Sequence, residues 1–113
     1  MDQAAIDIMT DVKKYLEYIG NKITIEKVIL FGSYAKGNAS KESDIDLAII
    51  SPQFGKAPLL EKMELYESKF DADIKSDIQP VPIGSEEFVN EDNFFILEIK
   101  NTGIDISDFI HNP

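Results

Sequence analysis

The sequence predicts an α+β fold, in which helices pack on a small mixed β-sheet of three to four strands. Three observations favour this class. Apolar residues near the N-terminus recur at helical spacing, the stretch VILF at 28–31 is a continuous apolar run, and DIDLAII at 44–50 alternates polar with apolar residues. A length of 113 residues and a hydrophobic fraction of 43% suit one globular domain. We therefore expect a single domain over residues 1–113.

The first half of the chain predicts one helix followed by two strands. The face of the helix would consist of apolar residues three or four positions apart, namely Ile8, Val12, Tyr15, Leu16 and Ile19. Gly20 and Asn21 then supply a stop signal. Residues 28–31 are typical of a strand buried on both faces, and residues 33–43 are small and polar, which indicates a loop or a short helix.

The middle of the chain predicts a second helix and a third strand. Pro58 suits the first turn of a helix, whose apolar face would be Leu59, Met63, Tyr66 and Phe70. Residues 74–83 are predicted as a third strand. Because Pro80 and Pro82 have no amide hydrogen to donate, this strand should lie at an edge of the sheet, or its pairing should stop at the prolines.

The C-terminal region predicts one helix and one short strand. The helix should cover residues 93–101, carry Phe95 and Ile99 inward, and end at Gly103 as its C-cap. Residues 104–106 would form the closing strand.

The composition excludes several classes of protein. The net charge is -10, from 21 acidic against 11 basic residues, and the basic residues are scattered lysines. Because nucleic-acid-binding proteins need clustered Lys and Arg, nucleic acid is not expected as the principal partner. The absence of cysteine rules out disulfides and thiolate metal sites. No signal-like start and no apolar run of about 20 residues occur, so we expect no membrane association and a cytoplasmic location.

Two aspartates are the first candidates for a functional site. Along the predicted strand, Ile45, Leu47 and Ile49 face one way and Asp44, Asp46 and Ala48 the other. Two carboxylates that converge repel by about 4 kcal/mol at a separation of about 4 Å and an effective dielectric constant near 20. A divalent cation such as Mg²⁺ would offset this repulsion, because it prefers carboxylate oxygens. The alternative is a pair of solvated aspartates on an exposed strand face.

A second candidate lies at the end of the apolar run, in the stretch GSYAKG at 32–37. Gly32 would let a phosphate approach the backbone closely, Ser33 could cap a helix or donate its hydroxyl to the phosphate, and Lys36 could contact the phosphate as a point charge. An ordinary strand-to-helix turn is the alternative. A Walker phosphate loop is excluded, because Asn38 stands where that loop requires lysine.

Taken together, the stretch VILFGSYAKGNASKESDIDLAII resembles the signature of the minimal nucleotidyltransferase branch of the DNA polymerase beta-like superfamily. The resemblance implies a third carboxylate on a later strand, which we match to Asp77, with Asp73 as the alternative. It implies that Asp44, Asp46 and Asp77 ligate two Mg²⁺ ions, and that Asp77 also activates the attacking hydroxyl. Gly32, Ser33 and Lys36 would bind the nucleotide. Family members often carry arginine after the Gly-Ser pair, where this chain has Tyr34 and Lys36.

The resemblance also implies an activity and a partner. Members of this size are similar to antitoxins that transfer AMP from ATP to a tyrosine hydroxyl of a HEPN-type ribonuclease toxin. Two alternatives stay open. The chain could be a binding module of the same fold, which acts as an antitoxin or scaffold without catalysis, or it could transfer a nucleotide to a different acceptor such as a small molecule.

Overall fold

The computed structural model describes residues 3–37, 44–90 and 92–110, and over these ranges it confirms the predicted α+β class. The elements follow in the order α1 (Gln3–Gly20), β1 (Lys27–Phe31), α2 (Ser33–Lys36), β2 (Ile45–Ser51), α3 (Pro58–Asp71), β3 (Ile78–Gly84), α4 (Ser85–Phe88), α5 (Phe94–Thr102), β4 (Ile104–Asp105) and a 3₁₀ turn (Ser107–Ile110). Within the predicted loop, residues 38–43 lie outside the described ranges.

The four strands form one mixed sheet in the order β3-β2-β1-β4. β1 pairs antiparallel with β2 and with β4, whereas β2 pairs parallel with β3. The parallel pairing requires a crossover, which α3 supplies. β3 is an edge strand, as its two prolines predict.

Both faces of the sheet are covered, which explains why its two central strands are almost continuously apolar. Helices α1 and α3 bury one face, which includes Ile45, Leu47 and Ile49 of β2. Helix α5 covers the other face, where Ile96 and Ile99 pack against β1, β2 and β3 residues. The alternation predicted for β2 is therefore confirmed.

Helix α1 has the predicted core face. Val12, Tyr15, Leu16 and Ile19 are buried in the core between α1, α3 and the sheet. The Tyr15 hydroxyl donates a hydrogen bond to the Leu65 carbonyl of α3 at 2.6 Å. Burial raises the pKa of Tyr15 above its ordinary value. This hydrogen bond therefore joins the two helices inside an apolar environment.

The predicted face of α3 is wrong. Leu59, Met63, Tyr66 and Phe70 are exposed, and the residues that α3 buries are Leu65, Ser68 and Lys69. Helical spacing shows that the four apolar residues share one face, but it does not show whether that face points toward the sheet or toward solvent. In the structure α3 is rotated so that Leu65 packs in the core and Lys69 reaches Asp77.

Two smaller predictions also differ from the structure. β3 begins at Ile78 and not at residue 74, because residues 72–77 form the turn that follows α3. In α5, Ile99 is buried as predicted, but Ile96 takes the second core position and Phe95 is 45% exposed. The Asn93 side chain caps α5 by accepting hydrogen bonds from the Phe95 and Ile96 amides. None of the helices in the described ranges has the length and apolar character needed to cross a membrane.

Replacement of Tyr15 by Phe tests the link between α1 and α3. We expect Tyr15→Phe to lower the free energy of unfolding by about 1 kcal/mol, because it removes one buried hydrogen bond without removing the ring. Urea denaturation measures this change. Tyr66→Phe, which removes a hydroxyl from an exposed side chain of α3, is the control and should change stability by less than about 0.5 kcal/mol. Equal effects of the two substitutions would contradict the assignment.

Candidate active site

The strand registers bring the predicted site residues to one end of the sheet. Phe31, the last residue of β1, pairs with Asp46, and Ile45 pairs with Ile78 at the start of β3. The end of β1 and the starts of β2 and β3 therefore lie side by side. Gly32, Asp44 and Asp77 each lie directly beside one of these strand ends.

Gly32 is shaped to accommodate Asp46. Its φ is 72°, in the left-handed region that favours glycine. A Cβ atom at this position would overlap Asp46 Oδ2, so the carboxylate lies directly against the glycine backbone. Helix α2 starts at the next residue, Ser33, and the Lys36 amide donates to the Gly32 carbonyl at 3.1 Å.

Backbone and side-chain hydrogen bonds hold Asp77 beside the aspartate pair. The Ile45 amide donates to the Asp77 carbonyl at 2.8 Å, so Asp77 lies opposite the residue that separates Asp44 from Asp46. The preceding residue, Ser76, donates from its amide and its hydroxyl to the Asp11 carboxylate of α1. The segment before β3 is thus attached to both β2 and α1.

The three carboxylates perturb one another. A hydrogen bond with Asp77, followed by repulsion from its charge, raises the pKa of Asp44. The same hydrogen bond is the main reason that the pKa of Asp77 is lowered. The pKa of Asp46 is raised chiefly by burial and then by the charge of Asp77, and Lys62 opposes this shift. Mutual repulsion of this kind is common where carboxylates serve a chemical function.

Two neighbours of Asp77 were not predicted from the sequence. Lys69 of α3, whose side chain is 6% exposed, places its Nζ 3.6 Å from Asp77 Oδ1 and 4.0 Å from the centre of the Tyr66 ring. Gln79 donates from Nε2 to Asp77 Oδ1 at 2.7 Å. The sequence did offer one signal for Lys69. Lys62 and Lys69 are seven residues apart, so both lysines lie on the same face of α3.

Asp73, the alternative third carboxylate, is placed differently. It follows α3 with a φ of 56° and is exposed. The groups that shift the pKa of Asp44 and Asp46 include Asp77 and do not include Asp73. The structure thus brings Asp77 to the aspartate pair.

A cavity of about 210 Å³ adjoins the Gly32 turn, and it is lined by Phe31, Gly32, Lys36, Phe95, Glu98, Ile99 and Thr102. The rings of Phe31 and Phe95 meet edge to face, with centroids 5.7 Å apart. Phe95 therefore presents part of its ring to the cavity instead of to the core. Larger cavities lie between α1 and α3 and beside α4, away from the aspartates.

The donor chemistry of the site suits a hard divalent cation, since all three side chains are carboxylates. In the described part of the chain, however, no three acidic or histidine side chains already stand in a metal-binding arrangement. To bind a cation, the three carboxylates would have to turn toward a common point.

Known proteins with similar sequences and folds indicate the family of this chain. A family model described as a nucleotidyltransferase domain matches residues 12–104. A protein of Methanocaldococcus jannaschii named "Putative protein adenylyltransferase" is 33% identical over 101 residues, which are 89% of this chain and 97% of that protein. Another protein of that organism with the same description is 31% identical over 61 residues, which are 54% of this chain and 61% of that protein.

A solved structure supports the fold. The crystal structure of a "putative nucleotidyltransferase" from Sulfolobus solfataricus superimposes with a TM-score of 0.63, over 93% of this chain and 87% of that chain, at 19% sequence identity. The family match covers most of the chain and includes Gly32, Asp44, Asp46 and Asp77. The chain belongs to the nucleotidyltransferase domain family, and the predicted enzyme class, nucleotidyltransferase, is confirmed.

Proposed function

We propose that this protein is a magnesium-dependent adenylyltransferase that transfers AMP from ATP to a hydroxyl group of another protein. The observation that carries the proposal is the meeting of Asp44, Asp46 and Asp77 at one end of the sheet, beside the Gly32 turn. The names of the relatives in Methanocaldococcus jannaschii support adenylyl transfer to a protein.

In this proposal the three aspartates hold Mg²⁺, and the family resemblance favours two ions. Cations held there would supply positive charge to neutralise the triphosphate and the reacting oxygens. Asp44 and Asp46 act as ligands, and Asp77 acts as a ligand and as the base that takes the proton of the acceptor hydroxyl. Lys69 and Gln79 orient the Asp77 carboxylate through their contacts with Oδ1.

The reaction is a displacement at the α-phosphorus of ATP. The acceptor oxygen forms a bond to the α-phosphorus as its proton passes to Asp77. The bond from the α-phosphorus to the oxygen that bridges the β-phosphorus breaks, and that oxygen leaves with the electron pair as part of pyrophosphate. The product is a protein that carries AMP on a phosphodiester linkage.

The nucleotide has two candidate contact regions. We propose that Gly32, Ser33 and Lys36 contact the phosphates and that the adjoining cavity takes the adenine, with Phe95 as its aromatic wall. Glu98, on the same wall, offers a carboxylate that can accept from the exocyclic amino group of adenine.

We further propose that the acceptor is a toxin of the HEPN type and that this chain is its antitoxin. Two considerations support this partner. The sequence resembles antitoxins of such pairs, and a net charge of -10 favours association with a basic, RNA-cleaving protein.

Substitution of the aspartates is the main test. ATP labelled at the α-phosphate is incubated with magnesium, the protein and an extract of its source organism, and labelled proteins are detected after electrophoresis. We expect Asp46→Asn and Asp77→Asn each to reduce labelling by about a hundredfold or more, because both remove a charged ligand. Asp73→Asn is the matched control, since Asn also tolerates the left-handed backbone at this position. Labelling that survives in the Asp46 and Asp77 variants would refute the proposal.

Two glycine variants separate backbone strain from displacement of Asp46. Gly32 and Gly37 both have positive φ, so alanine should destabilise either site by about 1 kcal/mol. Of the two, Gly32 is the one whose new Cβ would meet a carboxylate, because no described residue beyond its chain neighbours lies within 4 Å of a Cβ at Gly37. We expect Gly32→Ala to abolish labelling and Gly37→Ala to retain it at a temperature where both variants are folded. Equal labelling by the two variants would show that the Gly32–Asp46 contact is dispensable.

The adenine site can be tested without an acceptor. We expect Phe95→Ala to weaken binding of magnesium-ATP about tenfold in calorimetry, because stacking of a base on an aromatic ring contributes about 1–3 kcal/mol. Binding of inorganic tripolyphosphate should be unchanged. Phe94→Ala is the control, since Phe94 is 86% exposed and outside the cavity. A Phe95 variant that binds ATP normally would exclude this cavity as the adenine site.

A further inference from the structure

Helix α3 presents an apolar stripe to solvent, which consists of Leu59, Met63, Tyr66 and Phe70. These side chains are 75%, 50%, 41% and 69% exposed, respectively. Their spacing places them on one face, where Leu59, Met63 and Tyr66 line a shallow groove of about 290 Å³. Contiguous exposed apolar surface of this kind marks interaction sites in soluble proteins.

The apolar stripe borders the candidate active site. The Tyr66 ring lies 4.0 Å from Lys69 Nζ, and that nitrogen is 3.6 Å from Asp77 Oδ1. One side chain thus separates the stripe from the carboxylate that we assign as the base. A molecule bound on the stripe would extend to the reacting groups.

The charges beside the apolar stripe indicate what kind of molecule binds there. Glu64, Glu67 and Asp71 lie along one flank, where they line the cavity between α1 and α3. On the opposite flank, the charge of Lys62 acts on Asp46 and Lys69 is buried against Asp77. Lys62 and Glu67 line the groove itself, and Glu64 and Asp71 extend the acidic flank, so a partner meets more acidic than basic groups. A net charge of -10 opposes a second copy of this chain and favours a basic partner.

We propose that the apolar stripe is the docking surface for the acceptor protein of the transfer reaction. The partner surface would carry apolar side chains bordered by Lys or Arg, which would lie against Glu64, Glu67 and Asp71. This inference rests on the proposed function, because it assumes that the acceptor is a protein. It adds the position of that protein on the enzyme and the chemistry of its contact surface.

The test compares two double variants that remove similar exposed apolar groups. Met63→Ala with Phe70→Ala removes half of the stripe, whereas Val89→Ala with Phe94→Ala removes side chains that are 72% and 86% exposed elsewhere. Labelling of extract proteins by α-labelled ATP should fall at least about tenfold in the stripe variant and should persist in the control. Binding of magnesium-ATP and the melting temperature should be unchanged in both. Added salt should reduce labelling by the wild type.

Each other outcome has a separate meaning. Normal labelling by the stripe variant, or equal losses in both double variants, would overturn the docking assignment and leave the proposed function intact. A wild-type dimer in sedimentation that the stripe variant dissociates would identify a second copy as the occupant and would also overturn it. If the wild type binds magnesium-ATP but labels no extract protein, the proposed protein acceptor fails, and the docking surface fails with it.

Discussion

Repulsion among three carboxylates is the constraint on which the rest of this structure depends. At separations near 4 Å, each pair of charges would cost about 4 kcal/mol at an effective dielectric constant near 20. The buried Lys69, whose Nζ lies 3.6 Å from Asp77 Oδ1, offsets part of this cost. Helix α3 lies with Leu65 toward the core and Lys69 toward Asp77. The apolar stripe, about a quarter turn away from Lys69 on the helix, faces solvent.

The sheet fixes where these charges meet. β2 lies between an antiparallel and a parallel neighbour, so its first residues lie beside the end of β1 and the start of β3. That topology collects residues distant in sequence at one end of the sheet. Because Gly32 has no Cβ atom, the Asp46 carboxylate can lie against the backbone at the end of β1. The same end of the sheet adjoins the Phe95 cavity on one face and α3 on the other, so a nucleotide and a partner protein could approach from different directions.

Much of this architecture could be predicted from the sequence. The two central strands are apolar on both faces, and the spacing of Asp44 and Asp46 follows directly from strand geometry. The third carboxylate required the family resemblance, because an acidic residue before an edge strand has no local signature. The rotation of α3 could not be predicted, since it depends on contacts with residues distant in sequence, such as those of Leu65 with Tyr15 and of Lys69 with Asp77. The prediction that Phe95 faces the core was wrong for a similar reason. Its ring packs against Phe31 at the cavity, and Ile96 fills the core position.

The central claim is that Asp44, Asp46 and Asp77 together bind the cations of a nucleotide substrate. Crystals grown with Mn²⁺ and a non-hydrolysable ATP analogue would test it most directly, because manganese is located by its anomalous scattering. We predict anomalous peaks roughly 2 Å from carboxylate oxygens of all three aspartates, with the phosphates against Gly32 and Ser33. Bound manganese and nucleotide located away from these aspartates, with Asp44 and Asp77 still sharing a hydrogen bond, would contradict the claim.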